Sequence, residues 1–564
     1  MVAAPSQTSM RTEALILVLF MLAGLALFAP ILGSFFLSDD FTLIELVRTG
    51  GPLSLWWRGA GFFRPLVSLS LYVDHSISGL SPLGYHLTNV LAHSGCAFLV
   101  YRIALGLGLG RLTAGLCGVI FLALPSHSEP VAWISGRTDV LAALFGLAAL
   151  DSYLRFRRQG TSGALALAVA LFFVGLCAKE SVVTLFAIVF FADLLLTFQA
   201  AGPAPRRHRL LATLVFFFAG GVYVLVRRAM VGQWVGGYGA AVHLRPNLLQ
   251  MVANLGLFPL RALGSQVPAA LLPRSLPSTG VQQALLGLRA HLPGWALLLF
   301  AAAALAGAAT LGSRVVGAAR RRLTRAQLLL LGFCIIAFYV ALLPVLSLSV
   351  SLLGSEGERF LYFPSAFAVL AAVALLRFGL RSRWAQRAVF TLLLLFHVAA
   401  LGYANHNWQA AGQLTEQLVA QLREEPAAPP LLLANLPDSI GGAFVFRNGI
   451  ESALRLFDQT PRAVFVLTLH TLLDSDDEVT ATTVAAAPPA RSAAELTIQL
   501  AEPRAYFYSI TTPPPASRFA GTYEVAATEQ SRCVLRLSGI KTPYALRYFS
   551  GGVLHPLTPA GSSP

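Results

Sequence analysis

Residues 35–41, Phe35-Phe36-Leu37-Ser38-Asp39-Asp40-Phe41, place two adjacent carboxylates just after the first long apolar run of the chain. That run, from Ala14 to Leu32, is close to the length of about 20 residues that crosses a bilayer. Ionised groups near hydrocarbon are costly and two neighbouring carboxylates repel each other, so the pair is a poor membrane anchor. Asp39 and Asp40 therefore either start a solvated loop or form a functional pair at a membrane boundary.

Composition indicates a membrane protein. Of its 564 residues, 56% are hydrophobic and only 12% are charged, and the mean hydropathy is +0.68. This profile is typical of a protein that crosses the bilayer many times rather than of one large soluble core. The net charge of +15 comes almost entirely from arginine in short loops. Because no basic patch is interleaved with aromatic residues, the charge indicates topology and excludes nucleic acid as a partner.

Apolar runs of near-spanning length define the membrane part, residues 1–404. They lie at about 12–32, 86–109, 112–126, 138–154, 161–178, 182–199, 210–227, 292–312, 326–346, 364–380 and 386–404. Arginine clusters fall in alternate loops, at residues 155–158, 206–209, 314–325 and 377–387. Cytoplasmic loops are enriched in Lys and Arg. The pattern predicts about eleven transmembrane helices, a cytoplasmic N-terminus and an extracytoplasmic C-terminus.

One apolar segment, residues 247–264, is interrupted by proline. Counting it as a span would move the cluster around Arg320 to the outer side, against the bias of positive charge toward the cytoplasm. We therefore interpret it as an interfacial or re-entrant helix.

After residue 404 the composition changes, and residues 405–564 are predicted to form a small extracytoplasmic α/β domain. Proline-rich breaks at 427–430, 487–489 and 513–515 separate short β-like stretches. These stretches lie at 443–446, 463–467, 496–500 and 533–537, and a helix is predicted from Gly449 to Phe457. No helical repeat of fixed period and no clustered acid and base groups occur there, so we expect this domain to serve acceptor binding or assembly.

Charged groups of the membrane part gather on its outer side. Lys179 is notable because Lys541 is the only other lysine. A Lys-Glu pair between two apolar runs also fits a simple hairpin turn, and Glu358-Arg359 also fits a salt bridge at the membrane edge. Taken together, carboxylates on this face offer a base for a hydroxyl nucleophile and the cations offer stabilisation for a departing phosphate.

These residues carry a resemblance to a family. The matching stretches are Arg64-Pro65-Leu66, Gly84 to His93, Glu129 to Asp139, Ala178-Lys179-Glu180 and Glu358 to Ser365. Across about residues 30–410 the chain resembles the transmembrane tetratricopeptide-repeat O-mannosyltransferases and their bacterial relatives, which share the GT-C fold with the protein O-mannosyltransferases. The resemblance implies a membrane glycosyltransferase that uses a polyprenyl-phosphate sugar donor on the non-cytoplasmic face, here expected in a bacterial inner membrane.

The resemblance also implies roles for single residues. Asp39 matches an acidic position that in this family acts as the base or beside it, and Asp40 matches its acidic neighbour, so both are predicted to be catalytic. The cations predicted to contact the donor phosphate are Arg137, Lys179 and Arg359. The predicted supporting polar residues are Arg64, Glu129, Asp139, Glu180 and Glu358. The sugar is expected to be a hexose, with mannose as a candidate, and the acceptor a hydroxyl on protein, glycan or lipid.

Two sets of residues are candidates for metal binding, an aspartate pair and a histidine pair. A divalent cation at Asp39 and Asp40 is an open alternative, although relatives with monophosphate donors work without one, so no cofactor or metal is expected to be required. His86 and His93 are seven residues apart on one helical face, for which interhelical hydrogen bonds are favoured over metal binding.

Two other functions remain open. A transporter or flippase of lipid-linked sugar would be expected to show inverted repeats and broken helices at the membrane midplane, whereas the charges here lie at the outer boundary. A non-catalytic envelope assembly protein would depend on its C-terminal domain alone.

Overall fold

A computed structural model describes residues 10–56, 62–198, 206–232, 234, 248–266, 323–351, 354–426, 429–458, 463–485, 493–502, 505–510, 522–529, 531–538 and 544–557. Within these ranges the chain is helical up to Glu424 and contains strands from Leu431 onward. A helical part followed by an α/β part is thus confirmed. The span predicted at 292–312 lies outside the described residues.

The helices of the first part largely follow the predicted apolar runs. They are α1 (Met10–Leu27), α2 (Asp39–Gly50), α3 (Pro65–Ser78), α4 (Pro82–Gly106), α5 (Arg111–Leu122), α6 (Ser128–Ala132), α7 (Arg137–Gln159), α8 (Ser162–Leu176), α9 (Leu185–Phe198), α10 (Arg206–Val231), α11 (Leu248–Leu263), α12 (Arg325–Leu342), α13 (Tyr362–Gly379) and α14 (Arg383–Glu424). Among the described residues, six helices are long and apolar enough to cross a membrane, or seven if the bent pair at 125–159 is one span. The count of about eleven stays a prediction.

Two long helices carry charged groups of different kinds at their two ends. α7 begins at Arg137 and has Arg157 and Arg158 in its last turn, while α13 begins beside Arg359 and has Arg377 in its last turn. A helix of 23 residues is about 34 Å long at about 1.5 Å per residue. The candidate site residues and the arginine clusters therefore lie at opposite ends of the same helices.

Two helices that the apolar runs did not predict follow α1. α2 is amphipathic and buries Phe41, Ile44 and Val47 along one face. α3 buries Val67 and Leu71 on one side, but it leaves an apolar row exposed, made of Leu69, Tyr72, Val73 and Ile77. A helix of this kind suits the membrane interface.

The segment interpreted as interfacial or re-entrant forms α11, which contains Pro259 and is 16 residues long. It packs against α13 and against the turn at Glu358–Leu361. Its helical character is confirmed, and its depth in the membrane stays a prediction.

The C-terminal part contains two sheets. The strands are β1 (Leu431–Ile440), β2 (Ala443–Phe444), β3 (Val464–Leu472), β4 (Val479–Ala485), β5 (Ala493–Leu500), β6 (Phe507–Ile510), β7 (Thr522–Thr528), β8 (Arg532–Ser538), β9 (Ala545–Ser550) and β10 (Val553–Pro556). The first sheet has the order β10-β9-β1-β3-β6, with β2 paired to β1, and the second has the order β4-β5-β8-β7. Helix α15 (Ile450–Phe457) connects β1 to the parallel strand β3. The predicted helix and the strands predicted at 463–467, 496–500 and 533–537 are confirmed, and of the stretch 443–446 only Ala443 and Phe444 form a strand.

A single long helix joins the two parts. α14 runs for 42 residues from Arg383 to Glu424, and the predicted boundary after residue 404 lies within it. Near its end, Gln421 Nε2 donates to the Gly552 carbonyl at 3.0 Å and Gln421 Oε1 accepts from Leu554 N at 2.8 Å. The strand region, residues 431–557, is therefore fastened to the helix that carries it.

Candidate functional site

Asp39 and Asp40 open helix α2, where carboxylates are favourable because the helix dipole is positive at its N-terminus. α1 has already ended at Leu27, so the pair starts a second helix rather than ending the first. Asp39 is partly exposed, and its Oδ1 accepts a hydrogen bond from Asn448 Nδ2. Asp40 is buried. The two neighbours thus occupy different environments, and Asp39 is the one that a substrate can approach.

Asp40 ties α2 to the turn before α7. Its Oδ1 accepts from the backbone N of Ser135 at 2.8 Å and from Ser135 Oγ, and its Oδ2 accepts from Leu37 N at 3.0 Å. Burial raises the pKa of Asp40 from 3.8 to about 7, against the hydrogen bonds from Ser135 and Leu37, which lower it. Asp40 therefore positions the backbone around Asp39 and Ser135.

Arg359 packs against aromatic rings and pairs with the buried carboxylate of Glu129. Its Nη1 pairs with Glu129 Oε1, and its backbone N donates to Glu129 Oε2 at 2.8 Å. Its Cζ lies 5.2 Å from the Trp133 ring centroid and 4.8 Å from that of Phe360, distances suited to cation–π attraction. Trp133 Nε1 in turn donates to the Leu37 carbonyl at 3.4 Å. Trp133 therefore connects Arg359 to the segment that carries Asp39.

Lys179 is held close to Arg359. Its Nζ lies 2.7 Å from both carboxylate oxygens of Asp139, which is in the first turn of α7. The same Nζ is 5.6 Å from the Phe360 ring centroid, so Lys179 and Arg359 contact one ring. The structure brings together Glu129, Asp139, Lys179 and Arg359, and the roles predicted for them stay predictions.

Arg137 is placed differently from the other two cations. Its Nη1 pairs with Asp74 Oδ2 at 2.6 Å, and its Nη2 and Nε donate to the Tyr85 and Ile134 carbonyls at 3.0 and 3.3 Å. Its side chain is 0% exposed, against 6% for Lys179 and 18% for Arg359. This geometry favours a role in holding α3, α4 and α7 together, and the predicted contact of Arg137 with phosphate stays a prediction.

The remaining predicted polar residues form two further pairs. Arg64 Nη2 lies 3.5 Å from Glu180 Oε1, and Glu358 Oε1 lies 2.5 Å from Arg261 Nη2. Arg261 was not among the site residues predicted from the sequence. The available signal was its position in the apolar, proline-interrupted segment that became α11, because an ionisable residue in such a run is a candidate functional residue. Arg261 Nη1 and Glu358 Oε2 are buried and have no hydrogen-bond partner among the described residues.

The strand region also reaches this site, which the sequence did not indicate. Phe444 packs against the Trp133 ring at 4.8 Å and lies 5.8 Å from Arg359 Cζ. Asn448 bonds Asp39. Both residues lie about 400 positions from Asp39 along the chain, in short segments without a motif, so spacing offered no signal for them.

Asp40, His86 and His93, residues considered for metal binding, each make hydrogen bonds within the protein. Both oxygens of Asp40 face N–H or O–H donors, an arrangement opposite to that of a cation ligand. In the described ranges, no group of three or more His, Cys, Asp or Glu side chains is placed to hold a metal ion. His86 Nε2 bonds the Ser34 carbonyl at 3.0 Å, and His93 bonds Tyr362 Oη at 2.7 Å and the Leu122 carbonyl at 3.1 Å. Hydrogen bonding is confirmed for both histidines, and it joins helices for His93, whereas the Ser34 partner of His86 lies in the segment before α2.

The fold and the site define a multi-pass membrane protein that gathers carboxylates and cations at one end of its helices. In sequence it is similar to glycosyltransferases. The chain is 34% identical over 159 residues to protein O-mannosyl-transferase Tmtc1 of Drosophila melanogaster. The matched region covers 28% of this chain and 18% of that protein. It is 36% identical over 150 residues to protein O-mannosyl-transferase TMTC2 of Homo sapiens, and this match covers 23% of this chain and 18% of that protein. The resemblance stated from the residues is confirmed.

The chain thus spans about a fifth of the length of these curated relatives. No family model matches it. Among solved structures it is similar to ArnT from Cupriavidus metallidurans bound to undecaprenyl phosphate, with a TM-score of 0.42, 15% identity and coverage of 93% and 99% of the two chains. It is also similar to the oligosaccharyltransferase AglB from Archaeoglobus fulgidus, with a TM-score of 0.39, 14% identity and coverage of 81% and 69%.

Proposed function

We propose that this protein is a GT-C glycosyltransferase that moves a hexose, with mannose as the first candidate, from a polyprenyl phosphate to a hydroxyl acceptor. The observation that carries the proposal is the cluster at one end of the helices. There, Arg359 and Lys179 lie on one ring, Phe360, each paired with a carboxylate, while Trp133 joins them to the segment of Asp39. Sequence similarity to the O-mannosyl-transferases supports the same reaction class.

Asp39 acts as the general base in this proposal. The acceptor oxygen forms a bond to the anomeric carbon while the bond from that carbon to the phosphate oxygen breaks. The hydroxyl proton moves to the Asp39 carboxylate, and the polyprenyl phosphate leaves with the bonding electron pair. A positioned base of this kind contributes about 10²- to 10⁴-fold. Asp40 supports the neighbouring Asp39 by fixing the start of α2 through its hydrogen bonds with Leu37 and Ser135, and it does not touch the acceptor.

Arg359 is the cation best placed for the departing phosphate, because 18% of its side chain is exposed. Its planar guanidinium suits two phosphate oxygens, and Lys179 adds a compact charge beside it. Glu129 and Asp139 hold the two cations in place, so little reorganisation is needed when charge develops on the leaving group. Arg261 is a further cation beside this cluster, and Arg137 serves to position helices.

The arginine-rich loops support an orientation of the protein in its membrane. We propose a bacterial inner membrane protein whose catalytic end and strand region face the extracytoplasmic side, with residues 1–404 as the membrane unit and 405–564 as the outer unit. The positive-inside bias supports this orientation.

The experiment is a transfer assay with purified protein in liposomes. Undecaprenyl-phosphate mannose labelled in the sugar is supplied with a peptide rich in serine and threonine, and both labelled peptide and free mannose are measured. Asp39→Asn should lower the rate at least about 10²-fold. Glu45→Gln is the matched control, because Glu45 lies on the same helix but pairs with Arg455 of α15, and it should retain transfer.

The assay also separates the alternatives. Wild-type rates with Asp39→Asn would refute the base assignment. Movement of labelled lipid between leaflets without loss of its sugar would favour the transporter. Equal rates with EDTA and with added Mg²⁺ or Mn²⁺ are expected, and loss of transfer in EDTA would indicate a required cation.

A further inference from the structure

Asn448, in the strand region, contacts the segment that carries the proposed base. Its Nδ2 donates to Asp39 Oδ1, and its Oδ1 accepts from Ser38 Oγ at 2.9 Å. Because an ionised carboxylate only accepts hydrogen bonds, Asp39 fixes which end of the Asn448 amide faces it, and the Ser38 hydroxyl donates to the other end. One oxygen of Asp39 is thereby oriented by a neutral donor.

The backbone at Ser38 is held by the same segment. Ser38 has φ +48°, the only positive φ at a non-glycine position among the described residues, which is a strained conformation for a side-chain-bearing residue. Its N–H donates to the Val445 carbonyl at 3.0 Å. Gly449 has φ +82°, and a Cβ there would overlap the Ser38 carbonyl oxygen. Contacts from residues 445–449 therefore maintain the backbone immediately before Asp39.

That segment is itself anchored on both sides. Arg447 donates to Asp438 of β1 at 2.8 Å through Nε and Nη2, and to Glu356 of the helical part at 2.7 Å through Nη1. Asn448 thus extends from a loop that is fixed both to the strand region and to the turn before Arg359.

We propose that Asn448 is a positioning residue for Asp39, so that the strand region completes the active site instead of serving only acceptor binding or assembly. This inference rests on the proposed function. It assigns to Asn448 the task of holding the Asp39 carboxylate in the orientation that accepts the acceptor proton. The strand region and the helices then form one catalytic unit.

Substitution of Asn448 tests the proposal. Asn448→Ala should lower kcat about 10- to 100-fold, the loss expected from a misplaced catalytic group, while KM for undecaprenyl-phosphate mannose changes less than about twofold. Asn448→Asp keeps the size but replaces the donor with a second carboxylate, and it should lower kcat at least as much. Adding Asn448→Ala to Asp39→Ala should cause little further loss, because the two residues act as a unit.

Glycine variants supply a matched pair that leaves the Asn448 side chain intact. Gly449→Ala should reduce kcat through displacement of Ser38. Gly551→Ala is the control, because Gly551 also lies in the strand region at positive φ, +54°, yet has nothing within 4 Å of an added Cβ. It carries the same kind of backbone strain without contact to the site, so its kcat should stay near that of the wild type.

The outcomes are distinguishable. Wild-type kcat in both Asn448 variants, with Asp39→Asn inactive, overturns the positioning role and leaves the proposed function intact. Full activity of Asp39→Asn overturns the proposed function itself. Losses that multiply in the Asp39→Ala, Asn448→Ala double variant, or equal losses in Gly449→Ala and Gly551→Ala, would mean that these changes act on folding and would also refute the inference.

Discussion

Replacing Arg447 by Ala should loosen the strand region from the helices. Arg447 joins Asp438, whose side chain is 0% exposed, to Glu356, whose side chain is 33% exposed. It also lies over the Phe444 ring, with Cζ 4.5 Å from the centroid. The substitution therefore leaves one buried carboxylate without its cation and removes the bridge to the loop before Arg359.

The two ion pairs contribute unequally. Removing one partner of a buried pair costs about 3–5 kcal/mol, because the other charge is left uncompensated. The pair with Glu356 is partly exposed and adds at most about 1 kcal/mol. Burial already raises the pKa of Asp438 despite Arg447, and loss of the arginine would raise it further. Since an acid with a raised folded pKa stabilises the fold at low pH and loses that contribution as pH rises, Arg447→Ala should be least harmful near pH 4 and most harmful above neutrality.

Native-state hydrogen exchange at the amides of β1 and β3 measures the opening free energy of this region. Arg447→Ala should lower it by about 3–5 kcal/mol, and adding Asp438→Asn should recover part of the loss. Arg536→Ala is the control, because the pair of Arg536 with Glu495 is 43% and 39% exposed and should contribute at most about 1 kcal/mol. If Arg447→Ala costs no more than Arg536→Ala, the proposed anchoring role is wrong.

Three further predictions concern the site and the topology. Burial raises the pKa of Asp40 from 3.8 to about 7, a shift worth about 4 kcal/mol, so the free energy of unfolding should fall as the pH rises between these two values. Asp40→Asn should reduce this dependence on pH, as measured by thermal unfolding. An unchanged dependence in the variant would contradict the prediction. Arg359→Ala, combined with Glu129→Gln so that no buried charge is unpaired, should weaken donor binding about 10- to 100-fold, whereas donor affinity equal to that of the wild type would exclude the phosphate contact. A reporter fused after Pro564 should be extracytoplasmic, and a cytoplasmic signal would overturn the orientation.

The apolar runs predicted the long helices because burial in lipid requires length and composition, both of which are visible in one sequence window. They did not predict α2 and α3, whose apolar residues occupy only part of each helix. The β-like runs between prolines predicted β2, β3, β5 and β8 but not the other six strands among the described residues, and the parallel pairing of β1 with β3 and β9 joins distant segments. Pairing of that kind depends on tertiary contacts that local patterns do not contain.

The candidate site was predictable to a similar extent. The arginine-rich loops and the family resemblance placed Glu129, Asp139, Lys179 and Arg359 on one face, but they did not predict the pairs of Glu129 with Arg359 and of Asp139 with Lys179. They did not show that Arg137 would be fully enclosed by Asp74 and backbone carbonyls. A motif names residue types, whereas burial and partner choice depend on how helices pack.

The unbroken helix α14 has a consequence for chimeras of this protein. Its 42 residues span about 63 Å at about 1.5 Å per residue, roughly twice the hydrocarbon thickness of a bilayer. Because no flexible linker intervenes before Gln421, α14 sets both the distance of the strand region from the other helices along its axis and the rotation of that region about the axis. Deleting one residue between Asn407 and Gln421 would turn everything beyond it by about 100° and lower it by about 1.5 Å. Grafting the outer part of a relative onto these helices therefore has to preserve helical phase, and sequence similarity at the junction alone is not enough.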